Sequence, residues 1–273
     1  MDMATYTFHP KPPYNFFHML QRLMYARHEL YRFESDHSVI RTLTIRQDEI
    51  HRQDVPCGPS GRPWKRILMR TTWNKNVWEP VLRVDVVLEG GNEPLTSDEE
   101  RWLQKLLAHI WMVEVDLTPC YEQMSADSRL APIMKRFEGY RPPLDGSLFE
   151  SMVKTMIGQQ LNLAFARKLN ERLCRLATPP LIWRGEAYPV FPQPEELAAL
   201  DVKQLREIQF SQRKAEYVLD FARGVVNQEI RWPTLEEALN KPDEEFFQEW
   251  LSIRGVGLWT VESVLIFGLG RPD

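Results

Sequence analysis

The spacing of apolar residues changes character near residue 118. Before that point, helical and alternating stretches are mixed. Phe17, Leu20, Leu23, Met24 and Ala26 recur at helix spacing and predict a helix over Tyr14–Glu29. His37–Ile45, Ile67–Trp73 and Pro80–Leu88 alternate or are rich in β-branched residues, as strands are. Turn residues Gly58-Pro59-Ser60-Gly61 precede the second run, and Gly90-Gly91-Asn92 follow the third. Thr96-Ser97-Asp98-Glu99 has the spacing of a capping box, and Trp102, Leu103, Leu106, Leu107, Ile110 and Trp111 stripe the helix it opens. Helices on a small antiparallel sheet bury these faces, so residues 1–117 are expected to form an α+β domain.

From Thr118 onward, helical periods dominate: Gly146–Gly158, Leu161–Leu176, Glu195–Leu200, Val202–Ile208, Arg213–Asn227, Thr234–Leu239, Glu244–Ser252 and Trp259–Leu269. One interruption, Leu181–Phe191, sets Arg184-Gly185-Glu186 between apolar-aromatic runs and reads as an inserted β-hairpin. Arg141-Pro142-Pro143 reads as a stiff connector. Residues 118–273 are therefore expected to form a second, all-helical domain.

Composition narrows the function classes. The 273 residues suffice for two cores, and 43% hydrophobic with 26% charged residues is ordinary for a globular chain. No apolar run reaches the ~18 residues of a membrane span, and mean hydropathy is -0.40. Met1–Lys11 has no basic start followed by an apolar block, so a cytoplasmic protein is expected. Cys57, Cys120 and Cys174 form no CxxC, and the histidines, all within the first 110 residues, form no HxH or HExxH pair. Side-chain metal chemistry and a disulfide framework have little support, and no cofactor is expected. The net charge of -4 and pI near 5.9 argue mildly against nucleic-acid binding by bulk charge, while leaving room for a local phosphate site.

That local site is Leu251-Ser252-Ile253-Arg254-Gly255-Val256-Gly257-Leu258-Trp259-Thr260. A helix ends, two glycines spaced by one residue make a tight turn, and a helix restarts. Its first N–H groups, at the positive end of the helix dipole, point out through the turn and suit a phosphate. An ordinary helix–helix turn that uses glycines for close packing gives the same local pattern.

Ile253-Arg254-Gly255-Val256-Gly257-Leu258-Trp259-Thr260-Val261-Glu262 resembles the helix-hairpin-helix element of the DNA glycosylases, particularly the 3-methyladenine DNA glycosylase II branch. Asp116–Tyr121, Gly158–Ala166 and Arg213–Tyr217 also resemble strings of that branch, so the likeness runs over nearly the whole chain. The resemblance implies that Gly255, Gly257 and Thr260 offer backbone N–H groups to a DNA phosphate, with Val256 in the same turn. It implies a monovalent cation on the carbonyls of Leu251, Ile253 and Val256. It places Gln159 and Gln160 at the duplex, Gln160 as the wedge that fills the gap left by an extruded nucleotide; an amide capping a helix end is the alternative for Gln160. Arg213 and Lys214 are implied backbone contacts, although basic residues at a helix start also simply face solvent.

The implied reaction is base-excision repair by base flipping: hydrolysis of the N-glycosidic bond of alkylated purines such as 3-methyladenine in double-stranded DNA. Trp259 stands in or beside the base pocket, where an aromatic face favours a cationic base; a core Trp anchoring the second hairpin helix is the other reading. Relatives that also cut the strand carry a lysine at the position of Trp259, so a monofunctional enzyme is implied. Ser263 replaces an aromatic of the familiar branch. The family's catalytic aspartate belongs roughly twenty residues after Trp259, past Asp273, which matches instead an earlier position of the same loop. The helical domain is thus expected to be C-terminally truncated, with weak or no base release and an uncovered apolar face on Trp259–Leu269. A non-catalytic helix-hairpin-helix DNA-binding protein and an α-helical interaction domain are the competing readings; a monomer is expected.

Overall fold

The computed structural model describes residues 3–26, 30–50, 63–90 and 94–271. The expected turns at Gly58–Gly61 and at Gly91-Asn92, and Asp273, lie outside the described residues. The fold is α+β, with an antiparallel sheet supplied by the N-terminal part and a long helical part after it.

The first compact unit comprises the described residues of Met1–Arg41 and Ile67–Leu144. Strands β1 (Met3–Phe8), β2 (Tyr31–Ser35), β3 (Ser38–Arg46), β4 (Trp64–Trp73) and β5 (Leu82–Leu88) order as β1-β5-β4-β3-β2. In register, Met3 faces Val87, Ile67 faces Leu88 and Tyr31 faces Arg41. Strands β3, β4 and β5 lie where the alternating runs predict them, whereas β1 and β2 carry no such run. These two form the edges, where Thr5, Thr7, Arg32 and Glu34 leave a thin apolar signal. Helix α1 (Phe16–Ala26) buries Leu20 and Leu23 of the expected stripe together with Phe16 and Met19, while Phe17 is half-buried and Met24 exposed. A short helix, α2 (Gln47–Ile50), follows β3. Helix α3 (Ser97–Ile110) opens on the expected capping box and buries Leu103, Leu106, Leu107 and Ile110. Helices α4 (Thr118–Ser125) and α5 (Ala131–Arg136) follow with no buried side chain. Arg141, read from sequence as part of a connector, is fully buried and donates to the carbonyls of Pro13 (2.7 Å), Lys11 (2.8 Å) and Val115 (2.7 Å).

The second unit comprises the described residues of Thr42–Arg66 and Asp145–Asp273. The division thus falls after residue 144 rather than 117, and the second unit is not all-helical, because it takes the ends of β3 and β4. Polar anchors explain the exchange. The Thr42 hydroxyl donates to the Pro189 carbonyl at 2.5 Å, Arg46 pairs with Glu195 at 2.8 Å, and buried Arg66 donates to Thr178 and Glu196. The unit continues through α6 (Leu148–Gly158), α7 (Leu163–Ala177) and the expected hairpin of β6 (Leu181–Trp183) and β7 (Glu186–Tyr188). Arg184 and Gly185, with φ of 51° and 79°, make the two-residue turn between the strands. Then come α8 (Pro194–Ala198), α9 (Val202–Glu207), α10 (Gln212–Val226), α11 (Leu235–Leu239), α12 (Asp243–Trp250) and α13 (Leu258–Leu269). An aromatic column backs α12: Phe149 stacks on Phe221 (5.3 Å), Phe221 meets Trp232 edge-on (4.9 Å), and Trp232 stacks on Trp250 (5.1 Å). The uncovered apolar face expected on α13 is confined to its first turn: Leu258 and Trp259 are exposed, while Val261, Val264, Leu265 and Leu269 are buried.

Candidate nucleic-acid interface

Past the end of α12 the backbone amides turn to nearer carbonyls: Ile253 N–H donates to Trp250 (3.0 Å), and Val256 N–H to Ile253 (3.0 Å). Gly255 then sits at φ +86°, in the left-handed region that favours glycine. A Cβ there would lie 2.5 Å from the Tyr217 ring of α10, so only glycine lets the turn rest on that ring. Arg254 covers the same ring at 5.0 Å and pairs with Asp220 (2.7 Å) and Glu216 (3.2 Å), which raise its pKa, Asp220 most. Tyr217 carries no role in the sequence reading, since nothing in its own neighbourhood marks it as the seat of a turn far along the chain.

Gly257 is extended (φ -118°, ψ 176°) and precedes α13 with no side-chain cap. A Cβ on it would meet nothing within 4 Å. Its carbonyl accepts from Thr260 N–H (2.9 Å) and Val261 N–H (3.1 Å). The N–H groups of Gly257, Leu258 and Trp259 have no acceptor among the described residues. This corrects one expectation. Thr260 is buried and its N–H is taken within the first turn of α13, so the outward-facing donors are those of residues 257–259, with Gly255 beside them.

The sequence-assigned residues separate by task. Trp259 is 56% exposed, which removes the core-anchor reading of this side chain; Leu251 and Leu258 are exposed next to it. Gln160 is exposed at φ +56°, just past the C-cap of α6. Its neighbour Gln159 is the C-cap residue of α6. The Gln159 side-chain amide donates to the Gly255 carbonyl (2.8 Å) and the Thr260 hydroxyl (2.9 Å), joining α6 to the hairpin. Arg213 is exposed at the start of α10. Lys214 points inward and donates to the carbonyls of Met156 (2.9 Å) and Gln159 (3.2 Å); burial lowers its pKa. Of the carbonyls assigned to a cation, that of Ile253 accepts the Val256 amide, and those of Leu251 and Val256 have no donor among the described residues. Neutral carbonyl oxygens of this kind fit a weakly charged ion, and no cluster of His, Cys, Asp and Glu suited to a metal occurs among the described residues.

An exposed helix N-terminus in a glycine turn, seated on an aromatic ring and tied to a second exposed turn, defines a class of domain. Residues 153–270 match the HhH-GPD superfamily of base excision DNA repair proteins. A Bacillus subtilis (strain 168) protein provisionally named a DNA-3-methyladenine glycosylase is 36% identical over 173 residues, covering 63% of this chain and 57% of its own. The DNA-3-methyladenine glycosylase of the same organism is 33% identical over 177 residues, with the same coverage of each chain. The 3-methyladenine DNA glycosylase of Archaeoglobus fulgidus shares the fold, with a TM-score of 0.72, 22% identity, 98% of this chain and 80% of that one. The chain spans 57% of the length of the Bacillus relatives it matches.

Proposed function

We propose that the protein is a monofunctional base-excision glycosylase that releases alkylated purines such as 3-methyladenine from double-stranded DNA, acting as a monomer in the cytoplasm. The observation that carries this reading is the row of outward N–H groups at Gly257, Leu258 and Trp259, beside an exposed indole at Trp259. The N–H groups take a phosphate, which fixes the register of the duplex without reading sequence. The carbonyls of Leu251, Ile253 and Val256 would hold a monovalent cation that supplies positive charge to the same phosphate. Gln160, on its exposed turn, enters the stack as the nucleotide leaves it. The Trp259 face then receives the flipped base, and a cationic alkylated purine gains about 0.5–2 kcal/mol over a neutral one. Because residue 259 is not a lysine, no amine attacks the sugar, and water completes the displacement. The carboxylate implied roughly twenty residues after Trp259 would stabilise the sugar cation.

The test is incubation of a chain that includes that carboxylate with DNA treated with a methylating agent, followed by chromatography of free bases and cleavage by alkali. Free 3-methyladenine with alkali-labile sites supports the proposal, and Trp259→Ala should weaken release at unchanged folding stability. DNA binding without base release favours the non-catalytic reading. No affinity for DNA overturns both.

A further inference from the structure

Two exposed turns must meet the duplex at once for this reading to work: the phosphate-facing turn at Gly255–Trp259 and the wedge turn at Gly158–Gln160. They lie far apart in sequence, and each is short. Gln160 adopts φ +56°, in the left-handed region that non-glycine residues seldom take. The surroundings are specific. From one side, the Gln159 amide reaches across to the Gly255 carbonyl and the Thr260 hydroxyl. From the other, Lys214 of α10 grips the carbonyls of Met156 and Gln159. The same α10 supplies Tyr217, on whose ring Gly255 rests. Both turns are thus fastened to each other and to one helix by side chains that are themselves only partly exposed.

We propose that Gln159 and Lys214 are positioning residues that hold the wedge turn and the phosphate-binding turn in one register, rather than ligands of DNA. This rests on the DNA-gripping reading above. With its amide donating to two hairpin oxygens, Gln159 is spent inside the protein; Lys214, donating to the end of α6, is spent likewise. Losing the register leaves the phosphate site intact, since its donors are backbone groups of the hairpin. What is lost is the simultaneous fit of phosphate and wedge, which matters only on a duplex that opens.

The test uses Gln159→Met and Lys214→Met, which keep side-chain length and remove the donors, with Lys214→Arg as the variant that keeps a cation able to grip both carbonyls. Hydrogen exchange on the DNA-free protein reads the coupling directly: each methionine variant should speed exchange in both turns, by about tenfold, as expected for loss of a part-buried hydrogen-bonding group. Binding to two duplexes, one intact and one with a stable abasic-site analogue, reads its consequence. Affinity for the intact duplex should stay within about twofold, while preference for the abasic duplex falls about tenfold. Lys214→Arg should retain most of that preference. An equal fall on both duplexes makes Gln159 or Lys214 a direct DNA ligand and overturns the proposal, as does wild-type behaviour of both methionine variants. If the wild type binds neither duplex, the functional reading fails, and exchange then decides the coupling alone: faster exchange in one turn only contradicts it.

Discussion

Leu258→Pro separates the proposed phosphate site from the fold. Residue 258 is the first residue of α13, where a proline's missing N–H costs no helical hydrogen bond and its fixed φ suits the helix. The residue before a proline must be extended, and Gly257 already is, at φ -118° and ψ 176°. The Leu258 side chain is exposed, so little apolar burial is lost. Folding stability should therefore change by no more than about 0.5 kcal/mol, or about 1–2 °C in Tm for a chain of this size. The N–H that disappears is one of the outward donors. A hydrogen bond to a charged group contributes about 1.5–3 kcal/mol, so affinity for a duplex should fall by about 10- to 150-fold. Leu258→Ala is the control, keeping the N–H while removing the side chain. Calorimetry or circular dichroism reads stability, and fluorescence anisotropy on a labelled duplex reads affinity. If Leu258→Pro melts and binds like Leu258→Ala, the turn is a packing device and the anion-site argument fails.

Other perturbations follow from the same geometry. Gly255→Ala must place a Cβ at positive φ against the Tyr217 ring, costing about 2–5 kcal/mol by strain and overpacking, whereas Gly257→Ala meets open space and should lose no more than about 1 kcal/mol; thermal unfolding compares them, and equal losses would contradict the assigned roles. Arg141→Met strips donors from buried carbonyls of the first unit and should cost about 3–5 kcal/mol in a denaturant titration, where a loss below about 1 kcal/mol would be inconsistent with its burial. Burial raises the Glu49 pKa to about 7, against the hydrogen bond from the Leu235 amide. The folded state thus holds this proton more tightly than the unfolded one, and stability falls as pH rises from about 4 to about 8, by at most roughly 3 kcal/mol. Glu49→Gln should flatten that slope; an unchanged slope assigns the pH dependence elsewhere.

Much of the fold was legible because local rules and tertiary packing agree. The capping box at Thr96, the hairpin at Arg184-Gly185 and the α12-turn-α13 element lie where pattern reading places them. The departures share a cause. The buried face of α1 and the inclusion of Thr42–Arg66 in the second unit are decided by partners remote in sequence, and Arg141 looks like a linker residue until its acceptors are seen. At the candidate site, composition and spacing pointed to the turn, but not to which donors face outward. Thr260 loses its N–H to the Gly257 carbonyl, and Gln159 and Lys214 turn into the protein through bonds that no spacing announces.

The central claim is that backbone amides at the start of α13 hold a DNA phosphate. Amide chemical shifts recorded while a short duplex with an abasic-site analogue is titrated into the isotope-labelled protein test it most directly. The account predicts saturable shifts concentrated at Gly255, Gly257, Leu258 and Trp259, with a smaller set at Gln160, all weakening steeply with added salt. Binding that leaves those amides unmoved, or shifts centred on another surface, would contradict it.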